Sequence, residues 1–393
     1  MRFADRTGWD LKENAVTRLV ARLRRGGKVI LDLTESNPTR CGLSYPKKKI
    51  LAPLGGPEQL AYEPSARGML KAREAVCAYY AGQKITLDPQ QVFLTASTSE
   101  AYTFLFRLLV NPTESVLFPR PSYPLFEFLA GLNDVSAGFY PLVYDQGWRP
   151  DFEKYRAALT KTVKAVVLVN PNNPTGSYVN RSDFVVLNSL AKQQQIPFIS
   201  DEVFHDYAFD PRGTFFSLLQ DKEHLTFTLG GLSKTMGLPQ MKISWIIVNG
   251  PARKVHQAVK RLEMIADTYL SVATPSQNAL RSWLKLKPVI QGMILQRVRK
   301  NLGSLKSLVA PVADVQVLEA QGGWYAVLKL PAGLSEERLI LKLLEEDHVL
   351  VHPGYFYDFF DAPYLVASLL VKPAVFNNGI SRLLKHATAG STT

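Results

Sequence analysis

Thr-Phe-Thr-Leu-Gly-Gly-Leu-Ser-Lys-Thr-Met-Gly-Leu occupies residues 226–238 and sets Ser233-Lys234 just past an apolar, β-branched run. Two other stretches repeat the arrangement. Asn170-Pro171-Asn172-Asn173-Pro174-Thr175-Gly176 follows AVVLV (165–169), and Asp201-Glu202-Val203 follows PFIS (197–200). Further β-rich runs stand at VFLTA (92–96), SVLFP (115–119), LTFTL (225–229) and ISWIIV (243–248), with helical patterns between them. This alternation predicts an α/β fold with a mostly parallel central sheet and helices on both faces. In open sheets of that kind ligands bind beyond the carboxyl ends of the strands. Strand ends here carry Ser97-Thr98, Ser122-Tyr123, Asn173, Asp201 and Ser233-Lys234, so distant segments converge on one site.

Each of these residues has a plain structural reading: Lys234 as a surface lysine, Asp201 as a cap, Asn173-Pro174-Thr175-Gly176 as a turn. Together they have a chemical one. A lysine amine condenses with an aldehyde, an aspartate holds a ring nitrogen protonated, and an asparagine donates to a phenolate. Pyridoxal 5′-phosphate (PLP) is the cofactor with all three needs.

On the Asn-Pro-x-Asn-Pro-Thr-Gly stretch, the Asp-Glu-Val after it and the Ser-Lys pair, the chain resembles fold-type I PLP enzymes of the class I/II aminotransferase family. The likeness runs over nearly the whole length. It implies exchange of an amino group between an amino acid and a 2-oxo acid. Another PLP reaction on the same scaffold (a lyase, a decarboxylase or a cyclising biosynthetic enzyme) is the alternative. A PLP-binding regulator would carry an added DNA-binding module, which the sequence does not show.

By the same resemblance Lys234 is the Schiff-base lysine and proton carrier, Asp201 faces the pyridine nitrogen, and Asn173 bonds the phenolic oxygen. Tyr123 stacks on one ring face and Val203 packs on the other. Ser97 and Thr98 supply amides to the phosphate at a helix N-terminus, with the Ser233 hydroxyl and Lys242 beside them. Tyr62, in Ala-Tyr-Glu-Pro, matches a tyrosine that reaches the neighbouring subunit's phosphate, which implies a homodimer with shared sites.

Four positions depart from the family pattern. Phe204 stands where a tyrosine usually donates to the phenolic oxygen, Lys242 where an arginine binds phosphate, and Gly231 where a serine is common. In Tyr364-Leu365-Val366-Ala367-Ser368, Val366 replaces the arginine that holds the substrate carboxylate, and residues 355–371 contain no arginine. Arg40, in the loop with Asn37 that lines the family's substrate pocket, is the candidate replacement, since a guanidinium can clamp a carboxylate. Arg120 is a weaker one.

The 393 residues are 46% hydrophobic, enough for one large core and a smaller one. The expected division is an N-terminal helix and substrate loop at 1–45, a large PLP-binding domain at 46–288 and a small α+β domain at 289–393. A helix is expected over 11–24, packing with the small domain. Cys41 and Cys77 are the only cysteines, and neither a signal peptide nor a membrane-spanning run is visible, which predicts a cytoplasmic protein. The net charge of +12 reads as a solvated basic face without a nucleic-acid motif. No metal site is expected: His348 and His352 sit in an extended segment, and Ser233 occupies the place where a phosphate-binding P-loop needs glycine.

Overall fold

The structure, a computed structural model, describes residues 2–210 and 215–388. Its strands in chain order are β1 (Leu31–Asp32), β2 (Val92–Thr95), β3 (Ser115–Arg120), β4 (Ser136–Tyr144), β5 (Trp148–Pro150), β6 (Val163–Val169), β7 (Phe198–Asp201), β8 (Thr226–Gly231) and β9 (Ser244–Asn249). Then follow β10 (Gln316–Val317), β11 (Tyr325–Lys329), β12 (Val349–Leu350), β13 (His352–Pro353) and β14 (Tyr364–Ser368).

Strands β2 to β9 form one eight-stranded sheet in the order β2-β9-β8-β7-β6-β3-β4-β5. The run from β8 through β7, β6 and β3 to β4 is parallel, and β9 and β5 run against their neighbours. Helices cover both faces, so β2, β7, β8 and β9 are buried along their whole length. That is why they read as continuous apolar runs rather than alternating ones. All six expected runs are strands. β4 and β5 were not foreseen: Gly138 and Pro141 interrupt the apolar pattern of SAGFYPLVY, and Pro141 is accommodated where β4 borders the short edge strand β5.

A second, four-stranded antiparallel sheet has the order β10-β11-β14-β13. β1 pairs in parallel with β12, so the N-terminal segment is sewn to the C-terminal part of the chain. The helix expected over 11–24 runs Ala15–Arg25; the Asn14 side chain accepts the Thr17 N–H and fixes its start later than the periodicity suggests.

The helix Lys287–Val309 connects the two sheets. Near its start Lys287 Nζ lies 2.7 Å from Asp206, and Gln291 Nε2 donates to Asp206 and to the Thr235 carbonyl, each at 2.8 Å. Further along, Arg297 donates to the Cys41 and Leu370 carbonyls at 3.0 Å, and Asn301 to those of Leu369 and Val371 at 2.8 and 2.7 Å. Among the described residues no helix is long and apolar enough to cross a membrane.

Candidate active site

Beyond the carboxyl ends of β2, β3, β6, β7 and β8 lies a cavity of about 230 Å³. Its wall includes Thr98, Tyr123, Asn173, Asp201, Val203, Ser233 and Lys234. The structure thus brings together most of the residues singled out in the sequence. A second cleft of about 380 Å³ shares Ser36, Ser233 and Lys234 with it and adds Asp32, Glu35 and Asn37.

Asp201 ends β7 and is buried, and burial pushes its carboxyl up to about 6. The Val203 N–H at 3.2 Å, the Tyr102 hydroxyl at 3.0 Å and the nearby Lys234 amine all work against that rise. Lys234 lies on the short helix Leu232–Thr235 that follows β8. Desolvation holds its amine below the usual lysine range, opposed by Asp201. The Phe204 and Trp324 rings sit 5.4 and 5.3 Å from Lys234 Nζ. Phe204 therefore packs edge-on against Trp324 and contributes no hydroxyl, while the Tyr207 hydroxyl is spent on the Lys234 carbonyl at 2.8 Å.

Ser97 caps the helix Thr98–Leu109 by accepting the Glu100 N–H at 3.1 Å, and Glu100 returns a bond to the Ala96 N–H at 2.6 Å. This capping box leaves Thr98 and Ser99 facing the cavity at a helix start, where amides and dipole favour an anion. Ser97 itself is not on the wall. Gly231 has a local reason: a Cβ there would collide with Ser244 Oγ, and both residues line the cavity. Gly176 adopts φ +70°, and a Cβ on it would stand 2.5 Å from the Gly322 carbonyl oxygen. The loop before β11 docks onto this glycine through the Gln321 and Gly322 N–H groups, both 3.0 Å from its carbonyl.

Other named residues also lie off the cavity. Arg40 and Lys242 are exposed, and Tyr62 is 65% exposed. Arg120 is engaged by Glu127 at 3.1 Å and Asp358 at 3.3 Å and lies over the Phe139 ring. Val366 is fully buried inside β14, opposite Val327 and His352. Sequence reading missed Ser36, Ser99, Tyr102, Phe126, Leu129, Ser244 and Tyr325 on the wall. Tyr102 carried a usable signal, since it is one helical turn (i, i+4) after Thr98 and so shares its face.

The donor set fits PLP. Asn173 brings a buried side-chain amide to the wall, the only acid on the wall among the described residues is Asp201, and the helix start can take a phosphate.

Residues 54–365 match the model of the family described as aminotransferase class I and II. The chain belongs to that family. Its members are PLP-dependent, and this aminotransferase is an enzyme that exchanges amino groups between amino acids and 2-oxo acids. It is 26% identical over 340 residues to the glutamate-pyruvate aminotransferase AlaA of Haemophilus influenzae, covering 85% of this chain and 84% of that one. It is 27% identical over 345 residues to an alanine aminotransferase of Mycobacterium tuberculosis, covering 85% and 80%. Among solved structures, the alanine aminotransferase of Pyrococcus furiosus superposes with a TM-score of 0.90 over 99% of this aminotransferase and 100% of that chain, at 21% identity.

Proposed function

We propose that alanine and pyruvate form one of the amino acid and 2-oxo acid couples of this enzyme, with Lys234 as its catalytic amine. The names of the relatives support the couple. The observation that carries the site is the shared cavity: the desolvated Lys234 amine and the buried Asp201 carboxylate on one wall, with Asn173 and Tyr123 beside them.

Bound PLP supplies an electron sink for the carbanion left when the substrate Cα loses its proton. Asp201 would hold the ring nitrogen protonated, a charge pair that draws its carboxyl back down from about 6. Tyr102 and the Val203 N–H orient that carboxylate. Asn173 would donate to the phenolic oxygen, Tyr123 and Val203 would enclose the ring, and Thr98, Ser99 and Ser233 would hold the phosphate, aided by Ser97 as helix cap. Lys234 Nζ, its basicity already reduced by burial, would take the Cα proton and deliver it to the cofactor carbon on the other side of the amino nitrogen.

Lys242 belongs to this reading as a phosphate contact, and Tyr62 as one that reaches the phosphate of the neighbouring subunit. The exposure of Tyr62, with Leu60 at 88% and Leu270 at 70%, supports a homodimer that covers this face. Residues 1–45 and 289–393 would move as one small domain against 46–288, which the β1–β12 pairing favours. Two free cysteines and the lack of a spanning helix among the described residues support a cytoplasmic enzyme.

The test is a single turnover. The PLP-loaded protein should release one pyruvate per chain from L-alanine and lose its visible absorbance. Lys234→Ala should lack the resting absorbance and release no pyruvate beyond background. Normal absorbance in that variant would assign the amine to a different lysine.

A further inference from the structure

We propose that the carboxylate of the amino donor is received by the hydroxyls of Ser36 and Tyr325, with no guanidinium in the site. This rests on the transamination reading above and names how that site recognises its substrate.

Among the described wall residues Lys234 is the only cation. The nearby arginines are committed elsewhere or point away. Arg120 is paired with Glu127 and Asp358, and Arg297 donates to two backbone carbonyls. Arg40 is exposed and is absent from the walls of both the cavity and the adjoining cleft. That cleft adds Asp32 and Glu35, which repel an anion. Within one chain a substrate carboxylate therefore meets neutral donors inside.

Ser36 and Tyr325 are those donors. Both line the cavity with Lys234 and Tyr123, and the Ser36 hydroxyl interacts with the Tyr325 phenol. Burial pushes that phenol up to about 12, so it stays protonated and able to donate at any working pH. Thr98 and Ser99 sit at the start of the helix Thr98–Leu109, and Tyr102 is occupied by Asp201. Ser36 and Tyr325 are engaged with each other, in a bond that an arriving carboxylate would replace.

Their placement has one cause. Ser368 in β14 is the register partner of Tyr325 in β11. The same serine donates its Oγ to the Glu35 carbonyl and its N–H to the Leu33 carbonyl, each at 2.8 Å. One residue thus fixes both the strand that carries Tyr325 and the segment that carries Ser36. The Asn37 N–H, bonded to Glu35 at 2.8 Å, locks the turn that follows.

A hydroxyl bonds a carboxylate about twice as strongly as a neutral carbonyl, a far smaller preference than that of a bidentate guanidinium pairing with the anion. The experiment titrates the PLP-loaded wild type, Tyr325→Phe, Ser36→Ala and Arg40→Ala with L-alanine and with L-alaninamide. Cofactor absorbance and the rise in melting temperature are both read. Tyr325→Phe and Ser36→Ala should each weaken alanine roughly tenfold, the loss of one hydrogen bond to a charged group, with kcat nearly unchanged. Arg40→Ala should bind alanine as wild type does. The wild type should prefer alanine over its amide by about tenfold or less.

Wild-type alanine affinity in Tyr325→Phe overturns the inference. So does a tenfold loss in Arg40→Ala, or an amide discriminated against by about a thousandfold or more. If the wild type takes no amino group from alanine, the alanine reading fails. The same comparison, run with an amino acid it does accept and that acid's amide, then decides the hydroxyl pair on its own.

Discussion

Replacing Asp201 by asparagine should stabilise the cofactor-free protein while disabling the enzyme. The ordinary carboxyl value of 3.8 is raised to about 6 by burial in the folded chain. That difference corresponds to ~3 kcal/mol of lost stability once the group is ionised in both states. Because the folded value is the higher one, the neutral acid's advantage is complete below about pH 4 and disappears as the pH climbs through about 6. Asparagine keeps the shape, can accept the Val203 N–H, can meet the Tyr102 hydroxyl, and never ionises. The stability difference between the two proteins should therefore grow toward ~3 kcal/mol by pH 8, roughly half of it above pH 5. Urea unfolding of both cofactor-free proteins from pH 5 to 8 measures this directly. A difference that stays flat over that range would refute the claim that desolvation of Asp201 is a standing cost of this site. In the loaded enzyme Asp201→Asn should lose transamination by about a thousandfold or more, since a neutral amide cannot hold the ring nitrogen charged.

Gly176→Ala should lower stability by about 2 kcal/mol or more, because φ +70° is strained for alanine and its Cβ would press on the Gly322 carbonyl; an unchanged melting temperature would show that the two loops can separate without cost. Tyr62→Phe should weaken PLP binding by roughly tenfold in equilibrium dialysis, the loss of one hydrogen bond to an anion. Undiminished affinity would mean that this hydroxyl does not reach a phosphate.

Much of the large sheet was legible because its inner strands are buried on both faces and so appear as unbroken β-branched runs. The residues at their carboxyl ends were legible for a related reason: a parallel sheet sends every strand's end to the same edge. Arg40 shows where that logic stops. Its loop reaches the cleft through Asn37, but the turn closed by the Arg40 N–H to the Asn37 carbonyl at 2.9 Å leaves the guanidinium in solvent. No local pattern encodes that direction. Tyr325 and Ser36 were hidden differently. They lie nearly three hundred positions apart and meet only through β14, a non-local pairing invisible to any windowed reading. Tyr102 sits among apolar neighbours in SEAYTFLFRLL and looks like core; only the helix phase relative to Thr98 turns it toward Asp201.

The helix Lys287–Val309 is about 34 Å long. One end is bolted by Gln291 to the carbonyl of Thr235, next to Lys234, and the middle is bolted by Arg297 and Asn301 to the backbone beyond β14. A tilt of the smaller sheet would therefore pull on the peptide beside the reactive amine.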